Sequence, residues 1–181
     1  WGGAIKSARD AFQIAPAGQD VVAVFAESLF GGGVDALKGG RFSDAIGHLT
    51  EYLKLQPNNP SAYLDLGRAF LGNRQFGSAL EALVKGLGLA GQGSAGPSRE
   101  EFVRSLFEGG TQALQQNSFR DAAGFFTEVV KSDRTNLQAY LNLGRAYWNA
   151  GERGQALGAF GEVLKLNPGN GEALRFMLQG R

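Results

Sequence analysis

The amino-acid sequence predicts an all-α fold in which pairs of antiparallel helices are stacked along the chain. In segment 137–166, apolar residues recur three or four positions apart, which places them on one face of an α-helix. A turn at Asn149–Gly151 divides this segment into two helices, and Asn167–Pro168–Gly169 ends the second. The sequence around Tyr63 recurs 77 residues later around Tyr140, so the chain also contains an internal duplication.

The composition argues against several kinds of partner and site. The 181 residues include 18 basic and 17 acidic side chains, and a net charge of +1 gives no general attraction to nucleic acid or to an anionic membrane. The absence of cysteine removes disulfide bonds and cysteine-based metal sites. No apolar stretch reaches the roughly 18 to 20 residues that a membrane-spanning helix needs. We therefore expect a soluble protein without nucleic-acid partners or direct membrane insertion, and the composition fits cytoplasm and periplasm equally.

The spacing of residues in segment 137–170 is specific. It contains Tyr140-x-x-Leu143-Gly144-x-x-Tyr147, followed by Ala156-x-x-x-Phe160 and Pro168. This spacing resembles the 34-residue pattern of the tetratricopeptide repeat (TPR) family. The resemblance implies a right-handed superhelix, an α-solenoid of antiparallel helix pairs, whose concave groove is lined by the first helix of each pair. It also implies a function in binding a protein or peptide in that groove.

Small residues occupy the positions where the two helices of a pair would approach each other. Gly67 and Gly144 have no side chain, so we expect the second helix to pack closely there. Ala79 and Ala156 would allow the same approach from the other side. Each glycine inside a helix costs about 0.5 to 1 kcal/mol relative to alanine, and close packing would offset part of that cost.

The pattern divides the chain into four repeats with a helix on either side. Residues 1–18 match the second helix of a repeat, with Trp1 at the place of the aromatic residue that precedes later second helices. This match favours a fragment of a longer bacterial TPR protein, and a free-standing capping helix is the alternative. Ser98 and Glu101 have the spacing of a capping box, which marks a helix start. The predicted segments are the half-repeat 1–18, repeat 1 at 20–59 with an extended first helix, repeat 2 at 60–93, a linker at 94–97, repeat 3 at 98–136 with an extended first helix, repeat 4 at 137–170 and a capping helix at 171–181. The start of a further repeat is the alternative for the last segment.

In this register, ten side chains are expected in or near the concave groove. Phe30, Phe107 and Trp148 would contact apolar side chains of a bound segment, while Arg68 and Arg145 would hold its carboxylates or carbonyl groups. Tryptophan and arginine are enriched at binding hot spots. The full predicted set is Phe30, Val34, Leu64, Arg68, Phe107, Thr111, Leu141, Arg145, Trp148 and Arg175.

A second interpretation of the same residues is structural. The aromatic side chains would then pack between repeats, and the arginines would pair with Asp65, Glu108 or other neighbours.

The sequence offers little for catalysis. His48 is the single histidine, which leaves no multi-histidine metal site, and we expect it to be a surface or partly packed residue. Residues 86–91 fit G-x-G-x-x-G, but a dinucleotide site needs a preceding strand, and here a helix runs into a linker. We therefore expect a non-enzymatic module without catalytic residues, metals or cofactors.

Two other functions stay open. Repeat ends can stack head to tail, and we expect Ala4, Ile5, Ala8 and Phe12 to expose an apolar face for such a homo-oligomer. The chain would alternatively be a regulatory module of a larger enzyme.

Overall fold

The computed structural model describes residues 1–14, 19–90 and 96–180. Every regular element in these ranges is an α-helix, as predicted. Contacts between Cα atoms divide the chain into an N-terminal unit, Trp1–Phe102, and a C-terminal unit, Val103–Arg181. The ten helices are α1 Gly2–Ile14, α2 Gln19–Lys38, α3 Phe42–Leu55, α4 Pro60–Gly72, α5 Phe76–Leu89, α6 Arg99–Gln115, α7 Phe119–Ser132, α8 Leu137–Asn149, α9 Arg153–Leu166 and α10 Gly171–Gln179.

Consecutive helices pack against each other within each unit. In the N-terminal unit, α1 packs on α2, α2 on α3, α3 on α4 and α4 on α5. Helix α2 also contacts α4, so these two first helices are neighbours. In the C-terminal unit, α8 packs on both α7 and α9, and α9 packs on α10. Each unit is therefore a row of antiparallel helices.

A glycine of the first helix receives a large side chain of the second helix in each of the four predicted repeats. A Cβ atom added to any of these glycines would lie only 2.6 to 2.8 Å from that side chain, too close for a real contact. The prediction for Gly67 and Gly144 is thus confirmed, and the same geometry occurs in the other two repeats. The four pairs are Gly33 with Leu49, Gly67 with Leu83, Gly110 with Phe126, and Gly144 with Phe160.

Polar residues satisfy the free backbone N–H groups at several helix starts. The side-chain oxygens of Asn59, Asn136 and Asn170 each accept a hydrogen bond from the backbone N–H of the third residue of α4, α8 and α10. The capping box of α6 is confirmed. The Ser98 N–H donates to Glu101 Oε2 at 2.8 Å, and the Glu101 N–H donates to Ser98 Oγ at 3.3 Å.

Some predicted boundaries fall outside the described ranges. The helix stop at 16–18, the glycine at 91 and the first half of the linker 94–97 belong to this group, whereas Gly96 and Pro97 are described and are not helical. Helices α2 and α6 contain 20 and 17 residues, against 13 for α4 and α8. The division into repeats stays a proposal that these lengths support.

Helix α1 packs on the glycines of α2. A Cβ on Gly31 would lie 2.4 Å from the Trp1 ring, and a Cβ on Gly32 would lie 2.4 Å from Ile5 Cδ1. The ring of Phe42 also packs on a glycine of the helix that follows it, Gly72, but at a different position of that helix. That α1 takes the place of a second helix stays a proposal.

The prediction that α1 exposes an apolar face is wrong for two of the four residues named. Ile5 and Ala8 are only 4% and 7% exposed, because α2 covers them. Phe12 is partly buried, and its ring stacks on Phe25 with centroids 5.2 Å apart. Ala4 alone is exposed.

Ser28 and Ser105 occupy equivalent positions in the duplication but differ in hydrogen bonding. Ser28 Oγ donates to the Val24 carbonyl at 2.8 Å, whereas Ser105 Oγ, in a residue that is 1% exposed, has no hydrogen-bond partner among the described residues. Burying a hydroxyl without a partner costs about 1 to 3 kcal/mol. We therefore expect Ser105→Ala to raise the free energy of unfolding by about 1 kcal/mol. Urea denaturation measures this change.

Ser28→Ala is the matched control. It should lower the free energy of unfolding by about 0.5 to 1.5 kcal/mol, because it removes a hydrogen bond that is made. A Ser105→Ala variant that loses as much stability as Ser28→Ala would show that the Ser105 hydroxyl does have a partner.

Candidate functional site

In the N-terminal unit, the predicted groove residues lie on α2 and α4, with very different exposure. Phe30 and Val34 are half-buried on α2, and the Phe30 ring lies 5.1 Å from that of Tyr52. Leu64 on α4 is only 3% exposed. Phe30 and Leu64 thus contribute mainly to packing. For Phe30, packing is the role that the structural interpretation of the sequence gives to the aromatic side chains.

Arg68 presents its charge to solvent on α4. Its side chain is 42% exposed, and its Nη1 lies 3.9 Å from Asp65 Oδ1, at the limit of an ion pair. Burial raises the pKa of Asp65, while the positive charges of Arg68 and Lys38 act to lower it. Lys38, at the end of α2, therefore belongs to the same charge cluster. Two cations here share one carboxylate.

In the C-terminal unit, Phe107 and Thr111 of α6 are half-buried. The Phe107 ring meets the Phe126 ring edge to face, with centroids 5.4 Å apart. Thr111 Oγ1 donates a hydrogen bond to the Phe107 carbonyl at 2.9 Å. Both side chains are engaged within the unit.

Arg145 of α8 is held by a carboxylate of α10. Its Nε and Nη2 donate to the two carboxylate oxygens of Glu172 at 2.5 Å each, and its Nη1 donates to Asn142 Oδ1 at 3.1 Å. This bidentate pair raises the pKa of Arg145 above its usual value. A ligand carboxylate would have to replace Glu172 to reach the same guanidinium.

Trp148 is covered on two sides. The Arg153 guanidinium lies 3.7 Å from the centroid of its ring, and the Phe176 ring meets it edge to face at 4.9 Å. Trp148 is therefore half-buried. Leu141, one turn away from Arg145 on α8, is 6% exposed, and Arg175 is exposed on α10.

The sequence analysis missed Lys38, Glu172 and Phe176. Glu172 and Phe176 lie on α10, from which the sequence analysis named only Arg175 for the groove. Lys38 lies one helical turn after Val34, so the same face of α2 could have included it.

The other expected features can be placed as well. His48 is half-buried on α3, in line with the sequence interpretation. Residues 86–89 are helical, so this glycine-containing segment does not form a phosphate-binding loop. Within the described ranges, no cluster of three His, Cys, Asp or Glu side chains could hold a metal ion. None of the helices that the structure describes has both the length and the apolarity to cross a membrane.

Two family models described as "Tetratricopeptide repeat" match residues 30–93 and 113–179, which together make up more than half of the chain. The chain belongs to the TPR family. The predicted family and the predicted all-α TPR solenoid fold are confirmed.

Solved structures of TPR-like fold resemble the chain at low sequence identity. "Crystal structure of MamA protein" is 21% identical with a TM-score of 0.53, and covers 86% of this chain and 80% of that chain. "MamA RS-1 ArsTM double mutant" is 19% identical with a TM-score of 0.50, covering 86% of this chain and 82% of that one. "MamA 41-end from Desulfovibrio magneticus RS-1" is 19% identical with a TM-score of 0.49 and the same coverage. No curated protein matches the chain.

These findings support a TPR protein-interaction scaffold. The fold is typically non-enzymatic and takes proteins as partners. The TPR repeats do not by themselves identify the binding residues or the partner.

Proposed function

We propose that this TPR chain is a non-enzymatic scaffold that binds an acidic segment of another protein on its first helices. In the N-terminal unit, the proposed contact surface comprises Phe30, Val34, Lys38 and Arg68. We call it the first-helix face. Helices α2 and α4 contact each other in this unit, so the surface is continuous between them.

One observation carries the proposal. Lys38 and Arg68 both act electrostatically on the carboxylate of Asp65, so two cations lie near one carboxylate on the first-helix face. Both cations are exposed, and Arg68 has only a long contact with Asp65. An exposed pair of this kind contributes little to stability. Arg68 is therefore available for a bidentate contact with a partner carboxylate.

The equivalent arginine has a different role in this proposal. Arg145 is fixed by Glu172, so it orders α8 against α10 and does not serve as the first contact. In the C-terminal unit, the accessible parts of Trp148 and the exposed Arg175 offer the remaining polar and aromatic contacts. Phe107 and Thr111 retain a small accessible surface. Leu64 and Leu141 are buried and stabilise the packing of their helices.

The test compares Arg68→Gln and Lys38→Gln with Lys6→Gln as immobilised baits for extract of the source cells, with bound proteins quantified by mass spectrometry. Lys6 is an exposed lysine on α1 and is not part of the first-helix face, so its loss is a matched change of charge. Removing a hot-spot contact worth about 1.4 kcal/mol or more lowers affinity tenfold. We expect at least one protein retained by wild type and Lys6→Gln to fall tenfold with Arg68→Gln.

Glutamine is preferable to a charge reversal at these sites. Arg145→Glu would place a second carboxylate beside that of Glu172 and would disturb the helix packing itself. Circular dichroism establishes that each variant keeps its helix content. Equal retention of all proteins by wild type and Arg68→Gln would contradict the first-helix face as the binding surface.

Self-association is a second candidate, favoured by exposed leucines on α10. Leu174 and Leu178 are 43% and 69% exposed and lie four residues apart on one helix face. Light scattering over a concentration series separates a self-associating chain from a monomeric scaffold.

A further inference from the structure

A cleft opens in the N-terminal unit between α1, α2 and α3. Its volume is about 540 Å³, within the usual range for ligand sites of about 300 to 1,000 Å³. Apolar side chains form much of its lining, namely Phe12, Phe25, Ile46 and Leu55. None of them belongs to the first-helix face.

A glycine in the middle of α3 lines the cleft. Gly47 lines the opening, and a Cβ atom added there would meet no heavy atom within 4 Å. The rings of Phe12 and Phe25 stack with centroids 5.2 Å apart, and because Phe25 is only 2% exposed, the partly buried Phe12 presents the aromatic surface of the cleft. Such a surface favours a bulky apolar group, since aromatic rings pack well edge to face or offset.

The charges at the cleft are unequal. Glu51 lines the cleft and is neutralised by Arg9, whose Nη2 lies 2.5 Å from Glu51 Oε2. The Arg9 guanidinium also lies 5.9 Å from the centroid of the Phe25 ring. Lys54 lines the cleft as well, is exposed, and forms no ion pair with any residue that the structure describes. Among the described residues, the positive charge of Lys54 at the rim of the cleft is therefore not balanced by an ion pair.

We propose that this cleft receives one bulky apolar side chain of a protein partner that carries a carboxylate next to that side chain. The apolar group occupies the space above Gly47 against the Phe12 ring. The carboxylate pairs with Lys54, the charge that the cleft leaves unneutralised. This site lies on the second helix α3 and on α1, and it does not rest on the first-helix face.

Short peptides of defined sequence test the proposal directly. The probes are acetyl-Gly-Asp-Phe-Gly-amide, the same peptide with Lys in place of Asp, and the same peptide with Ala in place of Phe. Amide chemical shifts of the 15N-labelled chain, followed during titration into the millimolar range, report both affinity and location. We expect the Asp-Phe peptide to shift residues around Gly47 and Lys54 and to bind at least fivefold more tightly than either other peptide.

Two matched variants locate the binding. Gly47→Phe fills the cleft and should weaken the Asp-Phe peptide at least tenfold. Gly158→Phe is its control, because Gly158 holds the equivalent position in α9 and is equally open to an added Cβ. It should bind the peptide like wild type. Lys54→Glu should reverse the preference between the Asp and Lys peptides.

The outcomes are distinct from those of the first-helix proposal. Arg68→Gln should leave the peptide shifts around Gly47 unchanged, so failure of one site does not imply failure of the other. Equal affinity for all three peptides, or wild-type binding by Gly47→Phe, would overturn the cleft proposal.

Discussion

Replacing Phe160 with alanine is expected to lower the free energy of unfolding of the C-terminal unit by about 3 to 5 kcal/mol, the usual cost of truncating a buried phenylalanine. Phe160 is 0% exposed, fills the space over Gly144, and stacks on Phe176 with centroids 4.5 Å apart and planes at 4°. Its removal leaves a cavity where α8, α9 and α10 meet. Urea unfolding followed by Trp148 fluorescence, in a Trp1→Phe background, measures the loss.

Leu178→Ala is the control for this experiment. Leu178 is 69% exposed on α10, and surface substitutions of this kind usually change stability by less than about 0.5 kcal/mol. A similar loss in the two variants would mean that Phe160 is not the packing centre of the unit. Because repeats contact mainly their neighbours, the effect should be concentrated in the C-terminal unit.

Much of the fold could be predicted because its determinants are local in the sequence. The positions of Gly67 and Gly144 follow from a fixed spacing, and the large residues that pack on them follow at a second fixed spacing. The capping box at Ser98 needs only a four-residue pattern. Helix bounds and the contacts inside a pair depend on few other parts of the chain.

The candidate site could be predicted only in part, because its contacts join different helices. The pairing of Arg145 with Glu172 links residues 27 positions apart, and the alternatives named from sequence were Asp65 and Glu108. Asp65 is indeed the neighbour of Arg68. Periodicity gives the helix face on which an arginine lies, but the choice of partner depends on which helix packs beside it.

The glycines were the hardest residues to interpret from sequence. The glycines at 31 and 32 indicated a cost in helix stability, yet they provide the surface on which Trp1 and Ile5 pack. Gly47 belongs to no sequence motif, although it lines the cleft and places no side chain there. A glycine therefore either receives a neighbouring side chain or leaves an open space on the helix surface. Only the packing of the surrounding helices shows which of the two applies.

The two arginines of the duplication differ for a related reason. Arg68 has Asp65 one turn before it, and Arg145 has the neutral Asn142 at the equivalent place. Glu172 supplies the carboxylate for Arg145 from another helix, whereas the residue 27 positions after Arg68 is an alanine. The same sequence position thus yields a loosely paired cation in one repeat and a fixed bidentate pair in another.

Gly144→Ala is expected to lower the free energy of unfolding by about 1 to 3 kcal/mol, the usual cost of overpacking a well-packed core. The added Cβ would lie 2.6 Å from Phe160 Cε1 and 2.8 Å from two further ring atoms. The ring is 0% exposed and stacked on Phe176, so it has little room to move. The same urea titration that measures Phe160→Ala measures this variant.

Gly158→Ala, a substitution of the same type in the adjacent helix, should have the opposite sign. An added Cβ at Gly158 meets no atom within 4 Å, so alanine should raise the free energy of unfolding by about 0.5 to 1 kcal/mol through its higher helix propensity. The combination of Gly144→Ala with Phe160→Leu should be less destabilising than the sum of the two single changes, because the smaller side chain leaves space for the new methyl group. Strict additivity, or a stabilising Gly144→Ala, would show that α8 and α9 are not held at this distance by the glycine.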